Sequence, residues 1–487
     1  MEAHRGWTGK EGGIRHWVLG PVKQQRSGAD YTQPQPCFHN LALTRRMVAT
    51  GLLDIPPEIH LQIAEIVGTN QALKALSLTS CSLRSIAQSV LFKKFRIDLK
   101  RQLKGSIDDL LANPRVCAAI RYLELRGRGR NSMESPYGEE EKLSLIKKLL
   151  PEMVGLRAVW IHRVNLSKGF MDAFLETAAK IPLQVNLYDN THPPVIGPAS
   201  DTPLRIYCLQ LVSRTTDPPI GFYQSTLRAS AATLKKLCVV AGGDVFVKLV
   251  DIDLPFLHHL DIIISPENEV SRTGAAAFIS AQKTVRRLCL TCNVGTLPSL
   301  PPDALPDLRE LNTSTELVNQ LVPGRPVEAI EVRFSTGIDR HWFGDEVTQS
   351  TARVRKLRVH PGSATLDTRT VKRIVTILPS LERVWLHVSD GVSSPFTPLP
   401  ELNSLQALLE VTGVLASLKC LKHLCISLSS CEVWVYYVNA IATRLREANS
   451  CFSFLEIREL SATKWKRTVS IWNEVLGVFR LQVLPLD

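Results

Sequence analysis

Leu234-Lys-Lys-Leu237-Cys-Val239 is followed by Leu257-His-His-Leu260-Asp-Ile262 and then by Val285-Arg-Arg-Leu288-Cys-Leu290. Each reads apolar-x-x-apolar-x-apolar. The last three positions alternate as a half-buried strand does, because successive side chains on a strand point to opposite faces. Upstream copies are Ile120-Arg-Tyr-Leu123-Glu-Leu125, Leu156-Arg-Ala-Val159-Trp-Ile161 and Leu204-Arg-Ile-Tyr207-Cys-Leu209. Downstream copies are Val327-Glu-Ala-Ile330-Glu-Val332, Val354-Arg-Lys-Leu357-Arg-Val359, Leu381-Glu-Arg-Val384-Trp-Leu386 and Leu421-Lys-His-Leu424-Cys-Ile426, with Leu308-Arg-Glu-Leu311 as a weaker one. Starts at 234, 257, 285, 308, 327, 354 and 381 lie 19 to 28 residues apart. Recurrence at such a period marks stacked units, none of which can bury its apolar face alone.

Helical stripes lie between the blocks. Val371, Ile374, Val375 and Leu378 form one, and Trp434, Tyr437, Val438, Ile441 and Leu445 form another. Strand and helix alternating at this period imply parallel neighbouring strands with helices on the outer side. The pattern resembles the leucine-rich repeat family, in which each block is one short strand of a solenoid. Only Val285 to Asn293 carries the asparagine that normally follows the strand in that family, so its capping ladder is expected to be largely missing. A closed α/β domain with the same local pattern is the alternative.

A different stretch precedes the array: Leu53-Asp-Ile-Pro-Pro-Glu-Ile-His-Leu-Gln-Ile-Ala-Glu-Ile-Val67. Asp54 stands just before Pro56-Pro57, and proline is tolerated in a helix's first turn, where its missing N–H would go unpaired anyway. Glu58 suits the positive end of the helix dipole. Ile59, Ile63, Ile66 and Val67 make one apolar stripe, and Gly68 stops the helix. Asn70 is the expected cap of a second helix carrying Leu73 and Leu76. Leu83, Ile86, Ala87, Val90 and Leu91 repeat the stripe in a third. At Lys94 the period changes to two, with Phe95, Ile97 and Leu99 alternating against Arg96 and Asp98.

This order resembles the F-box, a three-helix module of about forty residues that docks onto the Skp adaptor of cullin ubiquitin ligases. Ile55-Pro56 stands where that family has Leu-Pro, Glu58-Ile59 where it has Glu-Ile or Glu-Leu, and Leu83 where it has Trp, Phe or Leu. Where the family often has Cys followed by Lys or Arg, this chain has Ser80-Cys81-Ser82. So small a module has too little interior for all its apolar positions. The remaining face must meet either the adaptor or the following domain. The resemblance implies that Ile55, Pro56, Pro57, Ile59, Ile63, Ile66, Leu76, Leu83 and Ile86 bind the adaptor, with Pro56, Ile59, Ile63 and Leu83 exposed.

The expected organisation is therefore a disordered basic tail over 1–48, an F-box over 49–95 and an irregular leucine-rich-repeat-like α/β solenoid over 96–487. The tail mixes Gly, Gln, Pro, Arg and His without a period. Met47, eight residues before Ile55-Pro56-Pro57, is an alternative translation start. Hydrophobic content of 45% with 21% charged residues gives ample core material. No apolar run approaches the roughly 20 residues that span a bilayer, and Met1-Glu-Ala-His-Arg-Gly-Trp7 lacks a signal peptide's apolar region. Eleven cysteines scattered singly suit a reducing compartment, so a cytoplasmic or nuclear location is expected.

Chemistry-bearing motifs are sparse. Cys289-Leu-Thr-Cys292 has metal-like spacing but no second pair or His at ligand distance, so two structural cysteines are expected. His258-His259 lies inside a repeat strand. Gly127-Arg-Gly129 lacks the third glycine and following helix of a phosphate loop. No hydrolase, zinc-protease or kinase signature occurs. Neither catalysis nor a cofactor or metal is expected.

The net charge of +12 concentrates locally. Residues 1–50 hold seven Lys or Arg and three acids, and residues 91–130 hold eleven and four, a surplus of 4 + 7 = 11. The rest is nearly balanced, which predicts no long basic groove. Aromatics are 6%, too few for base-stacking platforms, so nucleic acid is not expected as a partner. The basic junction from Lys93 to Arg130, with Lys100, Arg101 and Lys104, could meet an acidic partner. The function expected is that of a substrate-recognition subunit of a Skp–cullin–F-box ligase, with Skp adaptor, cullin scaffold and an unidentified protein substrate as partners. The alternative is a ligase-independent repeat scaffold whose degenerate F-box only caps the array.

Overall fold

The computed structural model of the chain describes residues 56–67, 69–99, 104–127, 137–190, 202–213, 220–241, 245–264, 269–292, 297–332, 344–360, 368–388, 409–428, 438–459, 466–473 and 478–485. The expected tail, Ile55, Asn293, Gly129, Lys100 and Arg101 all lie outside them. The chain divides into two compact units, 1–60 and 61–487. Of the first, the structure describes residues 56–60.

The recurring block builds one sheet. Its strands are β1 (Lys94–Asp98), β2 (Tyr122–Arg126), β3 (Ala158–His162), β4 (Leu183–Tyr188), β5 (Ile206–Val212), β6 (Lys236–Ala241), β7 (His259–Ile264) and β8 (Arg287–Thr291). It continues through β9 (Glu310–Thr313), β10 (Ala329–Val332), β11 (Lys356–Val359), β12 (Arg383–Val388), β13 (His423–Leu428), β14 (Phe454–Glu459), β15 (Lys466–Asn473) and β16 (Val478–Pro485). Each strand pairs with the next in sequence. The first fourteen are parallel, and β15 and β16 close the array with antiparallel pairing. Successive parallel neighbours are what a leucine-rich-repeat-like solenoid requires, and the order runs from β1 to β16 without β16 pairing back to β1, as a closed barrel would need.

Register explains why the blocks repeat. Leu237 stands opposite Leu260, Leu260 opposite Leu288, and Leu288 opposite Leu311. The same rung runs through Ile330, Leu357, Val384, Leu424 and Leu455. All of them are buried. Helices between the strands bury their apolar stripes in the same core as this rung. Phe170, Met171 and Phe174 do so from Lys168–Lys180, Val371 and Ile374 from Thr368–Ile377, and Ile441 and Leu445 from Val438–Ala448.

Three local readings are corrected. In β5 the rung residue is Leu209, opposite Val185 and Leu237, so the block there starts at Ile206 and not Leu204. Tyr207 is the extra residue of a register shift and is exposed, whereas the sequence frame had placed it inward. Strand β4 has Pro182 where the block's first apolar residue would stand, and so escaped recognition. Phe452-Ser-Phe-Leu455-Glu-Ile457 fits the template and forms β14.

With its frame starting at Pro182, the β4 repeat carries the ladder asparagine as well, at Asn190, and in other repeats different polar groups substitute. Asn190, after β4, accepts from Val164 N (2.9 Å) and donates to Ile161 O (2.8 Å), bridging two repeats. Thr313 Oγ1 donates to Leu290 O at 2.9 Å. On the turns before β6, β8, β11 and β14, a short polar side chain takes up carbonyls of the preceding repeat. Thr233 does so toward Leu204 and Ile206, Thr284 toward Leu257, Ser350 toward Arg325 and Val327, and Asn449 toward Leu418 and Leu421. Buried carbonyls without donors would destabilise each turn, so these groups are part of the fold. Arg325, only 3% exposed, serves the same end. Its guanidinium donates to the carbonyls of Ala304, Pro301, Leu321 and Pro323, and burial lowers its pKa. Gly127 is packed so closely that an added Cβ would lie 2.2 Å from Arg163 O. Close approach of neighbouring repeats therefore accounts for this glycine.

Three helices precede the sheet: α1 (Pro57–Val67), α2 (Asn70–Ser77) and α3 (Cys81–Leu91). Thr69, not Asn70, caps α2, accepting from Ala72 N at 3.4 Å. Ser80 caps α3, accepting from Leu83 N at 3.1 Å. Helix α2 packs on α3, and α3 packs on the helix Pro114–Ala119 of the array.

Candidate functional site

The sheet face opposite the helices carries one side chain per strand in each of several parallel rows, with neighbouring strands about 4.8 Å apart. Where β8 to β12 meet, two such rows enclose a hollow of ≈ 370 Å³. The first row is Arg287, Glu310, Ala329 and Lys356, in direct register. The second is Asn312, Glu331, Arg358 and Trp385. Ala329 opens the hollow, because its short side chain leaves a gap between Glu310 and Lys356, and the half-buried Trp385 walls its far side.

Its chemistry is mixed. Arg287 pairs with Glu310 at 3.5 Å, and Glu331 is hydrogen-bonded to His360. Arg358 and Lys356 are exposed. Asn312 is 6% exposed, lines the hollow, and its buried Oδ1 has no hydrogen-bond partner among the described residues. A buried acceptor left in that state favours a donor brought in from outside. This set can bind a polar ligand through charge, amide and aromatic contacts.

The hollow belongs to a longer cationic band at the strands' N-terminal edge. Lys235, His258, Arg286, Arg309, Glu328, Arg355, Glu382 and Lys422 follow one another there, each linked by backbone hydrogen bonds to the next. Beside them run Lys236, His259, Arg287, Glu310, Ala329, Lys356, Arg383 and His423. These positions hold nine Lys or Arg against three Glu, a surplus of 9 − 3 = 6. The near balance of the repeat region thus arises between faces. Many of the compensating carboxylates sit on helices and turns, at Glu176, Asp251, Asp307 and Asp345 for example. The expectation of no basic groove averaged charge along the chain and missed this sorting.

Two imidazoles on the face are shifted first by burial and then by the neighbouring cations. Burial and the nearby Lys236 and Arg287 charges lower the His259 pKa to about 4. Burial, Arg383 and Lys422 lower that of His423. Cys289 and Cys292 are both buried at β8, and no group of three metal-ligating side chains gathers among the described residues.

The residues expected to bind an adaptor divide by position. In the first unit, Pro56 and Ile59 are exposed, Ile59 at 41%. Pro57 is described only as the first residue of α1. In the second unit Ile66 is 83% exposed, and Leu78, which the sequence reading did not single out, is 78% exposed. Ile63, Leu76 and Ile86 are half-buried. Leu83 is 4% exposed and belongs to the interior, which corrects the expectation that it stands on an exposed face. The basic junction is partly neutralised, since Glu65 holds Lys93 at 2.8 Å and Glu124 lies between Arg96 and Arg126.

No protein-family model matches the chain, and no curated protein matches it. Among solved structures, the crystal structure of a TLR13–ssRNA13 complex is similar at 12% identity and a TM-score of 0.31, covering 69% of this chain and 44% of that one. The chain thus spans less than half the length of that structure's chain. Its own strand pairing defines it as a leucine-rich-repeat-like α/β solenoid. No described helix is long and apolar enough to cross a membrane.

Proposed function

We propose that the chain is a substrate-recognition subunit of a Skp–cullin–F-box ubiquitin ligase, without a catalytic site of its own, acting in the cytoplasm or nucleus. Helices α1 to α3 bind the Skp adaptor, and the sheet face binds a protein substrate. The observation that carries this reading is an F-box-like sequence whose Ile66 and Leu78 remain exposed, directly ahead of a one-sheet repeat array. Exposed aliphatics mark a contact surface where they form one contiguous apolar patch. Co-purification of the full chain with a Skp-class adaptor tests it. Retention of the adaptor is the expected result, and its absence from a folded chain overturns the reading.

The second reading is a repeat scaffold whose helices cap the array. Two observations favour it: Leu83 is buried, and α3 is seated on the helix Pro114–Ala119. Solenoids need such caps to cover their first repeat. A cap that binds no adaptor would leave Ile66 replaceable by a polar residue without loss of any partner.

A further inference from the structure

The cationic band and the hollow within it have an occupant that their chemistry specifies. We propose that they bind an extended acidic polypeptide segment laid across β6 to β11, with its carboxylates on Lys236, Arg287 and Lys356 and one backbone N–H donated to Asn312 Oδ1. The proposal holds whether or not α1 to α3 bind an adaptor.

Three observations converge on it. First, the described carboxylates engage only four of the band's nine cations. Glu310 pairs with Arg287, Glu328 with Arg309, and Glu382 with both Arg355 and Lys422. Lys235, Lys236, Arg286, Lys356 and Arg383 stand outside the ion pairs formed among the described residues. Second, Asn312 lines the hollow, and its buried Oδ1 has no hydrogen-bond partner among the described residues. An extended backbone offers a donor for it, whereas a free carboxylate does not. Third, the spacing suits a strand-like segment. From β6 to β8 is two strand intervals, roughly 10 Å, and from β8 to β11 is three, roughly 14 Å. Carboxylates on one face of an extended segment recur every second residue, about 7 Å, so offsets of two and four residues, with the reach of the Glu, Lys and Arg side chains, cover these distances.

A nucleic acid fits less well. Glu310, Glu328, Glu331 and Glu382 interrupt the band and would face a continuous phosphate backbone, while a peptide can place N–H donors or neutral side chains opposite them. Trp385 is the one aromatic side chain lining the hollow, and strand-tracking proteins stack base after base on aromatic faces. Beyond burial, the Lys236 and Arg287 charges lower the His259 pKa and Asp261 opposes them, so cations outnumber carboxylates around that ring.

The test is fluorescence anisotropy of the full chain with a labelled twelve-residue peptide of alternating Glu and Ser, at low salt. Saturable binding is expected, weakening steeply as salt rises, because these charges are surface-exposed. The triple change Lys236→Glu, Arg287→Glu, Lys356→Glu should weaken it at least tenfold. The corresponding Gln triple should weaken it several-fold and guards against misfolding, with both checked by circular dichroism. Asn312→Ala, which alters no charge, should weaken it about threefold or more, and unchanged affinity removes the amide contact. Three results overturn the proposal: no saturable binding by the wild-type chain, equal binding of an alternating Lys and Ser peptide, or tighter binding of a twelve-nucleotide single-stranded RNA that depends on the same residues.

Discussion

Leu260 and Leu288 face each other across β7 and β8, one rung of a buried ladder that each parallel strand extends by one residue. Truncating Leu237, Leu260, Leu288 or Leu357 to Ala should cost about 2–5 kcal/mol through lost transfer energy and the cavity left behind. Exposed neighbours such as Lys236 should tolerate Ala within about 0.5 kcal/mol. Denaturant melts of the two sets check this, and equal sensitivity would contradict the register.

Thr284 ties its turn to the preceding repeat through Leu257 O at 2.9 Å. Thr284→Val keeps the shape and removes the donor, so it should cost roughly 1–3 kcal/mol, the penalty of a buried carbonyl left without a partner. The same change at exposed Thr348, whose hydroxyl bonds within its own turn, should have little effect. Comparing the two melting midpoints separates a bridge between repeats from a local bond.

Arg325 donates to four backbone carbonyls from a nearly inaccessible position. Arg325→Met should destabilise by roughly 2–4 kcal/mol, because it leaves more than one of those acceptors without a donor. Arg325→Lys should recover part of the loss, as one ammonium cannot reach all four groups. Urea midpoints read this directly.

These elements differ in how far the chain announces them. The rung was legible because every repeat buries one face, so Leu237, Leu260 and Leu288 recur at a readable period. The β5 frame was not, because the extra residue at Tyr207 shifts register locally and puts two apolar residues, Leu204 and Ile206, in competition for the first position. Strand β4 stayed hidden behind Pro182. The hollow could not be seen at all, since it takes about one side chain from each row of five strands spread from Arg287 to Trp385. Charge counted along the chain summed over both faces and cancelled the band.

His259 gives the band a pH signature. Burial, then Lys236 and Arg287, depress its folded pKa to about 4, below the ordinary histidine value of 6.5. Because the folded pKa lies below the unfolded one, the neutral ring favours folding above pH 6.5. That contribution is lost as pH falls from 6.5 toward 4. His259→Gln should flatten the fall of melting temperature over that window, and Lys236→Gln should raise the His259 pKa in an NMR titration. A His259 resonance titrating near 6.5 in the wild-type chain would contradict the positive field.

Calorimetric titration of the full chain with a Skp-class adaptor, comparing wild type with Ile66→Asp, addresses the recognition reading most directly. Ile66 is so exposed that the change should leave the melting temperature nearly unaltered. Burying a large aliphatic in an interface is worth about 1.5–3 kcal/mol, so the account predicts saturable wild-type binding weakened at least tenfold by Ile66→Asp. No heat from the wild-type chain, or equal affinity of the two, would contradict it.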